Sequence, residues 1–283
     1  MSKVIAATVG VDWITATLPK EAHYHQKWLS AAYGLLEQVS NEGNTLQPRS
    51  MQGYDGVGCG ACFAGSRDDS SMAVFSSHHA HTAYRDLWRP DLHVSRLDMQ
   101  VTVKYNKMPL TIARRGYKDA IQANNTLPES RRRNIRIIIG TSGGDTLYIG
   151  SPTSEQLGCL YNKDVESGES AYQSSWRYEV RLKNDRATTA YHALVEQPER
   201  ANNFISAYVS NWYANRGVSI PWDTDADITL PATPKTLPSD DESRLAWLRQ
   251  QVAPAIRDLQ TRVGRDTILE ALGLAELAKV MSS

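Results

Sequence analysis

The stretch "HVSRLDMQVTVKY", residues 93–105, sets Val94, Leu97, Met99, Val101 and Val103 in near alternation with Arg96, Asp98, Gln100 and Thr102. Side chains on a strand point to opposite faces in turn, so this segment reads as a strand with one apolar and one polar side. "SSWRYEVRLK", residues 174–183, repeats the pattern. Trp176, Tyr178, Val180 and Leu182 face one way, and Arg177, Glu179, Arg181 and Lys183 the other. In "LGCLYNK", residues 157–163, Tyr161 and Lys163 share a side. One-sided strands of this kind belong to antiparallel sheet with one face covered.

Working outward, "VIAATVGVDWITATL" reads as a strand stopped by Pro19, and "KEAHYHQKWLSAAYGLLEQV" as a helix with Trp28, Ala32, Leu35, Leu36 and Val39 on one face. Residues 46–77 read as a Gly-rich hairpin region ending in "SMAVFSS". A helix near 109–124, strands at "NIRIIIG" and "DTLYIGS", and helices from about 184 to 215 repeat that order. The expected fold is α+β: antiparallel sheets in two similar α/β halves forming one domain over residues 1–217. Four prolines among acidic residues make 218–240 a linker, and two amphipathic helices are expected over 241–283.

Composition narrows the class. Apolar residues are 41% and charged residues 22%, which excludes collagenous, disordered and disulfide-scaffold chains. Three cysteines and no apolar run long enough to span a bilayer predict a cytoplasmic protein with no membrane partner. Lys plus Arg and Asp plus Glu are 31 each, against bulk electrostatic coating of nucleic acid. Charge is nonetheless uneven: residues 96–186 hold 15 basic against 10 acidic side chains. A local phosphate-binding surface fits that distribution.

If the three one-sided strands are neighbours, two carboxylates, several cations and one phenol converge. A solvated face of cross-strand ion pairs is the plain reading. The other is phosphodiester chemistry, which needs a nucleophile, cations or a metal to polarise the phosphoryl group, and acids to hold that metal. A tyrosine nucleophile leaves a phosphotyrosine ester that conserves the energy of the broken bond. Lys163 is expected to favour the phenolate. Tyr148 and Tyr178 compete with Tyr161, but each reads as alternating into an apolar face, and Trp13 is expected in the core. His79 and His81 of "HHAH" have metal-ligand spacing but are expected in a polar turn. Cys59 and Cys62 read as small hydrophobes of a hairpin, and "TSGGD" as a hairpin turn. Arg131, Arg132 and Arg133 read as a solvated loop or a phosphate contact.

Taken in order, "VDWITATLP", "GYDG", "SRLDMQVTV", "TLYIGSPTS", "CLYNKDVES" and "WRYEVRLK" resemble the replication initiation factors that start rolling-circle replication of small plasmids and filamentous phages, with relaxases of mobile elements as relatives. The resemblance covers roughly residues 9–215. It implies an origin-specific, metal-dependent endonuclease that nicks and rejoins one DNA strand, with Tyr161 as nucleophile and Lys163 as its lysine; Arg181 is expected to join Lys163 in stabilising the charge that develops. Asp98 and Glu179, with Glu166, would hold Mg²⁺ or Mn²⁺, and Arg96, Arg177 and Arg131–Arg133 would contact DNA. Expected partners are an origin hairpin or single-stranded nick site and a host polymerase in a bacterial cytoplasm, while the C-terminal helices are open to recruiting a helicase, pairing two copies in a homodimer or contacting flanking DNA. Many such proteins carry a second aspartate where this chain has Thr102, which puts metal affinity in question. Alternatives of the same fold are a relaxase and a non-catalytic origin-binding or regulatory protein.

Overall fold

The computed structural model describes residues 2–43, 45–140 and 143–222 and a few positions between 256 and 268. The chain divides into two compact units, 1–233 and 234–283. Most of the expected linker and tail lies outside the described residues; those described between 256 and 268 are helical apart from Gly264.

Ten strands form one antiparallel sheet among the described residues. They are β1 (Val4–Pro19), β2 (Gln47–Met51), β3 (Tyr54–Cys59), β4 (Cys62–Ser66), β5 (Ser70–Ser76), β6 (His93–Tyr105), β7 (Ile135–Ile138), β8 (Thr146–Ile149), β9 (Gln156–Asn162) and β10 (Ser175–Lys183). Helices are α1 (His25–Ser40), α2 (Ser77–Asp86), α3 (Ile112–Asn125), α4 (Lys163–Ser167), α5 (Asn184–Glu196) and α6 (Ala201–Ala214).

The spatial order β2-β3-β4-β5-β1-β6-β10-β9-β8-β7 shows the two halves. In each, a long strand reaches the centre, a helix follows, and four strands return from the sheet edge inward until the last pairs with the first. Both returning strands turn into a helix through a left-handed residue, Ser77 (φ 56°) after β5 and Asn184 (φ 51°) after β10. The halves join through β1 and β6, so they share one sheet.

Helical side chains pack on one face. Trp28, Ala32, Leu35, Leu36 and Val39 of α1 join Ile14, Leu97, Val101, Trp176 and Val180 in the main core. Trp28 is fully buried, and its indole N–H donates to the Leu87 carbonyl at 2.9 Å, so its polar edge costs nothing there. On β9, Gly158 meets α6: a Cβ added there would lie 2.3 Å from the Trp212 ring. Only glycine lets strand and helix approach this closely.

The opposite face carries a small apolar cluster of Tyr54, Phe63, Met72 and Val74 with Trp13 beside it. Next to it lie the polar side chains of β6, β10 and β9. Trp13 is therefore not in the main core, contrary to expectation: it is half-buried on the polar face, with the Arg96 guanidinium 4.4 Å from its ring.

Candidate functional site

β10 lies between β6 and β9, as convergence requires. Register puts Arg181 opposite Asp98 and Leu157, Glu179 opposite Gln100 and Cys159, and Arg177 opposite Thr102 and Tyr161. All of these side chains lie on the face that the core helices leave free.

The Tyr161 hydroxyl donates to Glu179 Oε2 at 3.1 Å, and Arg181 Nε donates to Oε1 of the same carboxylate at 2.6 Å. Arg181 also reaches Asp98 at 3.7 Å, so it spans the two acids. Arg96 holds Asp98 with two bonds, of 3.0 and 2.6 Å. Asp98 and Glu179 are both almost wholly buried. Burial pushes the Asp98 carboxyl up to about 7, with the Glu179 charge adding and Arg96 and Arg181 opposing. Burial also raises the Tyr161 phenol well above its ordinary value, Glu179 adding and Arg177 opposing. The phenol is neutral at pH 7.

Arg177 is 3% exposed. It donates to Thr102 Oγ1 at 2.9 Å and pairs with Asp12 at 2.5 Å. Burial disfavours its charge, but Tyr161, Asp12 and Glu179 outweigh that and raise its pKa. Asp12 stands where the β1–β6 register slips between Val11 and Trp13, a bulge that re-aims one side chain beside a site. Thr102 gives its own proton to Gln100 Oε1 at 2.6 Å and lies with Arg177, not between the two acids.

Lys163 does not share a strand face with Tyr161. The strand ends at Asn162, whose side chain accepts from the Val165 N–H and caps α4, and Gly168 (φ 67°) ends that helix. With the chain turned, Lys163 Nζ pairs with Glu166 at 2.5 Å and lies 5.1 Å from the Tyr172 ring centre. Glu166 is thereby paired with Lys163, and it forms no ligand group with Asp98 or Glu179 among the described residues. Among the described residues, no group of three potential ligands includes Asp98 or Glu179.

Two carboxylates are nonetheless a donor number that Mg²⁺ or Mn²⁺ uses when water and substrate oxygens complete the shell. Asp98 and Glu179 are both buried and are bridged by Arg181, so the two carboxylates fit such an ion if Arg181, a third exposed, gives way.

A cleft of about 350 Å³ opens at Tyr161, lined by Tyr148, Cys159, Asn162, Glu166 and Arg181 among others. Tyr148 is thus on the polar face, not buried in an apolar one, and the Arg136 guanidinium lies 4.7 Å from its ring centre. Tyr178 is buried as expected, and burial lifts the Cys159 thiol to about 12. Arg131 and Arg132 are exposed before β7, and Arg133 is half-buried. A cavity of about 750 Å³ lies beside Tyr105, Arg115, Tyr178 and Val218 and is not lined by Tyr161, Asp98 or Glu179.

Sequence reading missed Asp12 as the partner of Arg177, and Arg136 as a cation near the cleft. Arg136 was signalled by alternation in "NIRIIIG"; Asp12 depends on a bulge, which alternation cannot show. "HHAH" lies in the first turn of α2, not in a polar turn.

An antiparallel sheet built from two like halves, with a buried acid pair and a phenol on its open face, defines the class. A family model described as "Replication initiation factor" matches residues 94–271, and the chain belongs to that family. It is similar to a Bacillus subtilis (strain 168) protein named "Putative DNA relaxase NicK", with 31% identity over 160 residues. The match covers 49% of this chain and 46% of that relative, so it spans about half of each. The fold is similar to a rolling circle replication initiator protein from Geobacillus stearothermophilus, with a TM-score of 0.51 and 18% identity over 72% of this chain and 84% of that one.

Among the described residues, no helix is long and apolar enough to cross a membrane.

Proposed function

We propose that the protein initiates rolling-circle replication by nicking one strand at an origin and rejoining it through a phosphotyrosyl intermediate. The contact between the Tyr161 hydroxyl and Glu179, in a cleft on the open sheet face, carries this reading. Glu179 Oε2 takes the phenol proton as the oxygen attacks phosphorus. The bond from phosphorus to the 3′-oxygen breaks, that oxygen takes up a proton, and the 5′-phosphate stays on Tyr161. The freed 3′-hydroxyl suits a host polymerase, with a helicase opening the duplex.

Arg181 lines the cleft and opposes charge that builds on the phosphoryl oxygens. Mg²⁺ or Mn²⁺ held by Asp98 and Glu179 would supply further polarisation when bound. Arg177 holds Asp12 and Thr102 in place, whereas Arg131, Arg132 and Arg136 are exposed to meet a DNA backbone.

The likeness to a relaxase supports the same chemistry serving DNA transfer. Incubating supercoiled plasmid carrying the candidate origin with Mn²⁺ and either wild type or Tyr161→Phe tests the proposal. Nicking by wild type alone supports it, and equal nicking by both rules Tyr161 out.

A further inference from the structure

Outside the Tyr161 cleft, three side chains from two helix ends converge. Glu42, just past α1, points Oε2 at His78 Nε2 (3.1 Å) and at His79 Nε2 (3.3 Å). Their ligand atoms all lie within 4.8 Å of one another, and no other group of three among the described residues does this. For metal bonds of about 2.0–2.1 Å in a tetrahedron, neighbouring ligand atoms sit roughly 3.3 Å apart. The separations of Glu42 from the two histidines match that edge.

We propose that Glu42, His78 and His79 bind a zinc-class divalent ion, distinct from any ion at Asp98 and Glu179. Two imidazoles and one carboxylate are borderline donors, which favour Zn²⁺ over Mg²⁺. The three residues line a cavity of about 260 Å³ together with Cys62, Lys163 and Tyr172, which leaves room for water as fourth ligand. Cys62 Sγ lies 3.9 Å from Ser76 Oγ and is outside the converging set. The ion would tie the end of α1 to the start of α2. His81, two residues on, takes no part: its Nδ1 accepts from the Val11 N–H at 3.5 Å.

The residues are solvent-accessible, His79 least so at 17%, so substitutions there test the site without opening the core. Full-length protein stripped with a chelator is titrated at pH 7.5 with Zn²⁺ by calorimetry, and with Co²⁺ by visible absorption. One equivalent with a tetrahedral Co²⁺ spectrum is expected at this site, separate from any ion that the carboxylate pair takes up. His78→Ala, His79→Ala and Glu42→Gln should each weaken binding at least about tenfold, since losing even an outer-shell partner costs that much. His81→Ala and Glu179→Gln should keep the tetrahedral equivalent at wild-type affinity. No binding by wild type, or undiminished binding by the His78 and His79 variants with circular dichroism unchanged, overturns the proposal. Loss of binding in Glu179→Gln alone would assign the ion to the carboxylate pair and overturn it equally.

Discussion

The Tyr161 hydroxyl donates to Glu179 Oε2 at 3.1 Å, which joins the phenol to a buried carboxylate on the next strand. If Glu179 is the base, Glu179→Gln keeps an acceptor oxygen but loses the proton sink. Single-turnover nicking should fall on the order of 10²–10⁴-fold, the usual worth of a general base, while origin affinity stays within about twofold. A rate within tenfold of wild type would remove Glu179 from that role.

Asp98 predicts a pH dependence. Its folded pKa, about 7, lies above the unfolded carboxyl value of about 3.9, so the folded protein holds the extra proton between those limits. This group's contribution to stability therefore falls as pH rises from roughly 4 to 7 and is flat above. Urea midpoints measured from pH 5 to 8 should show that slope, and Asp98→Asn should lose it. Mn²⁺ affinity in wild type should rise through pH 7 as the proton leaves.

Arg177 and Asp12 should behave as a coupled pair. Arg177→Met leaves Asp12 facing an apolar side chain, at a cost of about 3 kcal/mol, the low end for a broken buried pair because Asp12 keeps some water. Adding Asp12→Asn should return about 1–2 kcal/mol in a double-mutant cycle by denaturant unfolding. Additive losses would show that the two do not interact.

Two glycines should respond in opposite directions. Gly158→Ala pushes a methyl into Trp212 and should cost about 1–3 kcal/mol by overpacking. Gly34, inside α1 with nothing within 4 Å of an added Cβ, should gain about 0.5–1 kcal/mol as alanine. Thermal unfolding of both variants checks the pair.

Much of this was legible in the sequence because period-two alternation fixes faces. Alternation puts Glu179 and Arg181 on one face of β10 and gives Asp98 and Tyr161 a face on their own strands, and the order β6-β10-β9 brings those faces together. Alternation does not show where a strand stops. The alternation of β9 extends to Lys163, but the Asn162 cap that starts α4 outweighs the strand pattern and turns that residue off the strand. Nor does it show bulges, so Asp12 stayed hidden. Glu42 and the two histidines come together only through tertiary packing: 36 residues separate Glu42 from His78.

The central claim is that Tyr161 is the nucleophile, and Tyr148 in the same cleft is its natural rival. The most direct measurement is to trap the covalent complex on an origin oligonucleotide with Mn²⁺, digest it, and locate the nucleotide-bearing tyrosine by mass spectrometry. The account predicts a 5′-phosphonucleotide on the peptide containing Tyr161 and none on the peptide containing Tyr148. An adduct at Tyr148, or an adduct that persists in Tyr161→Phe, would contradict it.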